Sequence, residues 1–289
     1  MFSTLFAVVI ALAIGHGAPA FAAAMRDDGW YQAWLRWLDG RFPGDSFWRG
    51  PGGVLLALLP PLLVVALLQL LLRDVVFGLP SLLFGVALLF YAWGPRDLDR
   101  DVDVIIDAPD PTARSVALAL LRPPAAAGAA DAGDPVGRVF SAALRRWFGV
   151  LFWFLLLGPA GALLYRLAAI AAEGEPALYL PAGFVDGARR LLALLDWPAA
   201  QLMALSLALV GNFDVVVGAW KAGGGARFTL DAGFLAAVGR ASVRHELEED
   251  GMQDAALPQA LRDAMSLVWR ILLAWLALLA LFVVAGWVN

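Results

Sequence analysis

The chain has 289 residues, 61% of them hydrophobic, and a mean hydropathy of +0.75. The apolar residues come in long blocks, more than one aqueous core can hide, so the composition calls for a lipid solvent rather than a soluble fold. A formal charge of -4 and a pI near 5.2 leave no basic surplus for nucleic acid. The lack of cysteine removes disulfides, thiolate nucleophiles, iron–sulfur ligation and cysteine-based zinc sites.

A bilayer core about 30 Å thick needs roughly 20 apolar residues at about 1.5 Å rise each. Six windows come close: Phe2 to Ala24, Val54 to Leu72, Val75 to Trp93, Phe148 to Ala172, Leu191 to Val217 and Met265 to Val288. The expected fold class is all-α, a polytopic integral membrane bundle of five to six transmembrane helices with an interfacial helix and cytoplasmic loops at about 95–146 and 218–264.

In chain order, the first window ends in Ala20, Ala22 and Ala24, which resemble a signal cleavage site. No lysine or arginine precedes Arg26, however, so this window reads as a retained helix, with His16 a lone polar residue inside it. Trp30, Trp34, Trp37 and Leu38 then recur at helical spacing and read as an interfacial helix carrying an aromatic belt. After the third window Asp97, Asp99, Asp101 and Asp103 alternate. A calcium loop starting at Asp97 needs glycine and glutamate where Val102 and Ala108 stand, so a solvated acidic face is expected. Thr112 to Leu121 reads as a short helix after Pro111, and Ala125 to Gly137 as a flexible loop.

The fourth window holds Gly158, Pro159, Ala160, Gly161 and Ala162, small residues that permit close helix approach, with Pro159 loosening the backbone ladder. Gly158, Pro159 and Gly161 are thus the candidate packing hinge. The fifth window carries Asp196, Pro198, Asn212 and Asp214, and both a crossing helix and a re-entrant or surface-lying one fit it. Gly223 to Gly225 reads as a turn, and Asp231 to Glu249 as a helix ended by Asp250 and Gly251. His245, Glu246, Glu248, Glu249 and Asp250 match no zinc spacing and read as a charged helical face. No metal site and no cofactor are expected, and no nucleophile elbow, phosphate loop or dinucleotide fingerprint is present.

Basic residues set the expected orientation, because cytoplasmic loops carry the excess. Arg26, Arg36, Arg41 and Arg49 follow the first window. Arg96, Arg100, Arg114, Arg122, Arg138, Arg145 and Arg146 follow the third, and Lys221, Arg227, Arg240, Arg244 and Arg262 follow the fifth. The other side holds Arg73, Arg189 and Arg190. Both termini are therefore expected in the periplasm.

Arg166 and Asp196 are the informative charges, since both fall inside apolar windows at matching depth. Two readings stand: an interhelical ion pair lining a polar pocket, or Arg166 snorkelling while Asp196 caps a helix broken at Pro198. Tyr165, Trp153 and Trp197 flank this candidate polar core. Asn212 and Asp214 either contact a ligand or end the helix, and ending the helix is the simpler reading.

WFGVLFWFLLLGPAGALLYRL, Trp147 to Leu167, LLDWPAAQLMALSLALVGNFD, Leu194 to Asp214, and YAWGPRDLDRDV, Tyr91 to Val102, resemble AmpE, an inner-membrane regulatory signalling modulator associated with β-lactamase induction. AmpE is distantly related to the CobD and CbiB membrane proteins of cobalamin biosynthesis. The resemblance implies a single membrane domain over 1–289, a ligand pocket around Arg166 and Asp196, and a small-molecule, lipid or regulatory protein partner in addition to the bilayer. The cobalamin enzymes form an amide with ATP and magnesium, and they carry a polar acidic stretch soon after the Tyr-Arg pair. Here Leu167 to Glu175 reads LAAIAAEGE, so the resemblance favours modulation over amide formation.

Overall fold

A computed structural model describes residues 27–42, 44, 46–72, 79–93, 97–121, 134–227, 230–252 and 256–284. The first apolar window, with His16 and Arg26, and most of the Ala125 to Gly137 stretch lie outside these residues. Among the described residues every regular element is helical: α1 Gly29–Arg41, α2 Gly53–Leu71, α3 Leu79–Ala92, α4 Leu98–Ile106, α5 Pro111–Ala119, α6 Pro135–Leu157, α7 Pro159–Glu173, α8 Ala182–Val210, α9 Phe213–Ala222, α10 Phe234–Glu249 and α11 Leu257–Val284. Four are long and apolar enough to cross a membrane, namely α2, α6, α8 and α11 up to Leu281. The all-α membrane-type fold is therefore what the chain forms.

Local chemistry explains most helix ends. Asp110 and Asp134 accept hydrogen bonds from Ala113 N (2.7 Å) and Gly137 N (3.0 Å), with Pro111 and Pro135 supplying the fixed φ of a first turn. The end of the stretch expected to be flexible is thus the start of α6. Asn212 caps α9 by accepting from Val215 N (3.2 Å), so the fifth window, expected to run to Val217, ends its helix at Val210 and begins a second one. Pro198 does not break α8, which continues through it. A proline inside such a helix removes one intrahelical hydrogen bond without ending the helix.

The largest departure from the sequence reading is the fourth window. It is not one helix. Gly158 has φ +70, a left-handed conformation that glycine adopts without Cβ strain, and Pro159 opens the next helix behind it. A Cβ on Gly161 would lie 2.1 Å from Trp153 O, and one on Gly149 would lie 2.2 Å from the Tyr165 ring. Both pairs are centred on Leu157. Helices that touch in this symmetric register run antiparallel, so the end of α6 and the start of α7 form a hairpin whose legs approach through glycine.

The chain forms two compact units. The first comprises residues up to 95, 149–192 and from 279, and α7 is its hub. Ten of its residues, from Gly161 to Ala172, are buried as it packs on α2, α3 and its hairpin partner. By contrast α2 turns Leu55, Leu59, Leu63, Leu67 and Leu70 outward along its length, an apolar surface suited to acyl chains. In α1 the buried stripe is Tyr31, Leu35 and Leu38, while Trp30 and Trp37 face out. Trp34 stacks on Trp37 with ring centroids 5.2 Å apart, in keeping with an aromatic belt.

The second unit comprises 96–148 and 193–278. Here α10 packs on α9 and on the first turns of α6, where Gly239 admits the Phe140 ring to 2.1 Å of its Cβ position. Trp147 and Phe148 meet Trp269 and Trp275 at centroid distances of 5.3 and 5.1 Å. Residues Leu144–Phe148 of α6 form a π-helical turn, an insertion that often marks functional positions.

Candidate functional site

In the first unit, the start of α1, the end of α3 and the middle of α7 bring four polar side chains together. Arg166 Nη2 donates to Asp28 Oδ2 at 2.6 Å, and Tyr91 Oη donates to Asp28 Oδ1 at 3.3 Å. Trp30 Nε1 in turn donates to Tyr91 Oη at 2.8 Å. The Arg166 and Asp28 side chains are 10% and 16% exposed, so the pair is largely out of water and its charges need one another. Burial pushes the Asp28 carboxyl above its ordinary value of 3.8, against the opposing pull of Arg166 and the Tyr91 hydrogen bond. Arg166 Nε and the hydroxyl of fully buried Tyr31 have no hydrogen-bond partner among the described residues. Two donors thus remain for a small acceptor.

In the second unit, Asp196 on α8 is 1% exposed and pairs with Arg145 Nε at 2.7 Å. The adjacent Arg146 reaches Asp101 Oδ2 at 2.7 Å and the Leu120 carbonyl at 2.8 Å, tying α4 and the end of α5 to α6. The π-turn carries both arginines, and they go to different helices. Asp99 accepts from Trp269 Nε1 at 2.8 Å. The acidic alternation expected to be a solvated face is therefore split: Asp103 is exposed, while Asp101 is buried and paired.

Neither reading of Arg166 and Asp196 is what forms, because each residue is buried with a partner within its own unit, Asp28 and Arg145 respectively. Neither partner stands out in sequence. Asp28 lies 138 positions from Arg166, and Arg145 sits in a stretch that reads as a loop. The remaining candidates have local roles. Tyr165 is buried against Gly149, and Trp153 is half-buried edge-on to Phe152, its carbonyl facing Gly161. Trp197 is half-buried beside Asp196. Asn212 caps α9 and lies 2.9 Å from His245 Nε2, and Asp214 is exposed in the first turn of α9, where an acid suits the helix dipole. Of the charged face on α10, His245 pairs with Glu249 at 3.4 Å and Glu246 with Arg270 at 2.7 Å, leaving Glu248 and Asp250 outside and exposed. Among the described residues no three His, Asp or Glu side chains converge as a metal site.

One polar residue that sequence reasoning passed over is Gln69, near the end of α2. Its Nε2 donates to Leu157 O at 3.4 Å and its Oε1 accepts from Ala160 N at 3.2 Å. One amide thereby serves both sides of the helix break at Gly158, where backbone groups lose their intrahelical partners. A lone glutamine in an apolar run was the only signal available.

The fold and these charge clusters define the class: an all-helical chain with membrane-spanning potential and ion pairs set among its apolar helices. Compared with known proteins, it matches no family model, no curated protein and no solved structure.

Proposed function

We propose that the chain is an integral protein of a bacterial inner membrane that modulates signalling rather than catalysing a reaction. In this reading it resembles AmpE and couples a small polar or lipid ligand near Arg166 to cell-wall recycling and β-lactamase induction. One observation carries the non-catalytic part: the polar side chains that could do chemistry are engaged with one another. Arg166 holds Asp28, Arg145 holds Asp196, Arg146 holds Asp101, and Asn212 caps a helix. The ligand part is supported by the buried donors Arg166 Nε and Tyr31 Oη. The resemblance of Trp147 to Leu167 and Leu194 to Asp214 supplies the signalling context. The arginine distribution supports a cytoplasmic location for the loop around 95–146.

Native mass spectrometry of the gently solubilised protein, with extraction of bound metabolites, tests the reading against an Arg166→Gln variant that still folds. A small molecule present in the wild type and lost in the variant is expected. In a strain with an inducible β-lactamase, expressing the wild type should shift the induced level and the variant should not. Equal induction with and without the protein, or consumption of ATP when a corrin acid and an amine are supplied, would replace modulation with the amide-forming reading or abandon both.

A further inference from the structure

Gly53 and Gln69 stand on α2 about 24 Å apart at about 1.5 Å per residue, a distance close to the thickness of a hydrocarbon core. Two segments that follow one another along the chain are fastened to these opposite ends. At the far end, Gln69 bonds Leu157 O and Ala160 N on either side of the Gly158 turn. At the near end, the start of α8 lies against the residues just before α2. A Cβ on Gly183 would come within 2.4 Å of Arg49 O and one on Gly187 within 2.5 Å of Pro51 O, and the Phe184 ring lies 4.6 Å from that of Trp48. The helix linking the two anchors is α7, whose 15 residues span about 22 Å. It matches the distance it must cover, so α7 runs back along α2 and antiparallel to it.

We infer that the Gly158 turn and residues 174–190 lie on opposite membrane faces, and that 174–190 shares the face of the segment between α1 and α2. Read as a single crossing, the fourth window carries Arg189 and Arg190 to the face away from the other arginines. The reversal at Gly158 returns them. Arg36, Arg41, Arg49, Arg189 and Arg190, all exposed, then form one basic rim on the first unit, a surface whose charge fits the anionic headgroups of the cytoplasmic leaflet. Assigning this face to the cytoplasm rests on the inner-membrane reading above, whereas the shared face rests on the α2 and α7 geometry.

The chain is naturally free of cysteine, so single cysteines report without background. Arg41→Cys and Glu175→Cys, both at exposed positions, are probed in inverted and in right-side-out vesicles with a membrane-impermeant maleimide, and a permeant maleimide verifies that each thiol reacts. Phe47→Cys and Leu178→Cys provide a second pair in case one of the first fails to fold. Both members of a pair should react in inverted vesicles and be protected in right-side-out ones. Reaction of the two members from opposite faces overturns the shared face. Reaction of both only from the outside preserves the antiparallel α7 but overturns the cytoplasmic rim, and with it the orientation assigned above.

Discussion

Two of the buried ion pairs among the described residues, Arg166 with Asp28 and Arg145 with Asp196, are built in opposite senses. In the first unit both partners are shielded, and Asp28 has a second hydrogen bond, from a tyrosine on α3. In the second unit the acid is sealed at 1% exposure while its arginine, at 32%, keeps one edge in the open. A charge sealed from water depends on the groups packed around it, whereas a half-open one can turn to water or headgroups. Removing Arg145 should therefore strand a sealed acid and be the costlier change, whereas in the first unit the Tyr91 hydrogen bond gives Asp28 a second hold.

Four experiments sharpen that contrast, beginning with the largest effect. Arg145→Ala removes the cation from Asp196 and should cost about 3–5 kcal/mol, read as a lower thermal transition in detergent. Adding Asp196→Asn to it should recover most of the loss. In the first unit Asp28→Ala should cost about 1.5–3 kcal/mol, the range for a hydrogen bond to a charged group, and exchanging the pair as Asp28→Arg with Arg166→Asp should restore part of it. If Asp28→Ala proves the more damaging substitution, the contrast between the pairs is inverted. Gln69→Leu, which keeps the apolar fit but removes both bonds at the hairpin turn, should cost about 1–2 kcal/mol and speed protease cleavage near Gly158. The smallest effect is that of pH. Because the folded-state value of Asp28 lies above its ordinary 3.8, its contribution is present below that value and is lost as pH rises through the folded-state value. The stability of the wild type relative to Asp28→Asn should therefore fall as pH rises, and a difference that stays flat would show that the carboxyl is not shifted.

Legibility from sequence varied along the chain for physical reasons. The window from Val54 to Leu72 agrees with the helix Gly53–Leu71 almost to the residue, because an apolar run broken only by Gln69 and bounded by glycine and arginine leaves the backbone one way to satisfy itself in lipid. The turn at Gly223 to Gly225 and the helix ending at Glu249 also form where expected, with Gly224 and Gly251 at positive φ. The fourth window failed for the converse reason. Hydropathy registers how apolar a segment is and not its direction, so Phe148 to Ala172 reads the same whether it goes straight or doubles back. Gly158, Pro159 and Gly161 were visible as a place of close approach, but the helix they approach is their own continuation.

By itself the sequence determined the solvent and the element type: lipid-facing leucines along α2, helices throughout, and charges too few and too placed to be incidental. Only the tertiary structure decided which charges meet and which way α7 runs. Periodicity acts over a few residues and is written locally, whereas an ion pair such as Arg166 with Asp28 depends on two helices arriving together from 138 positions apart, a distance at which neither residue's neighbours carry any trace of the other.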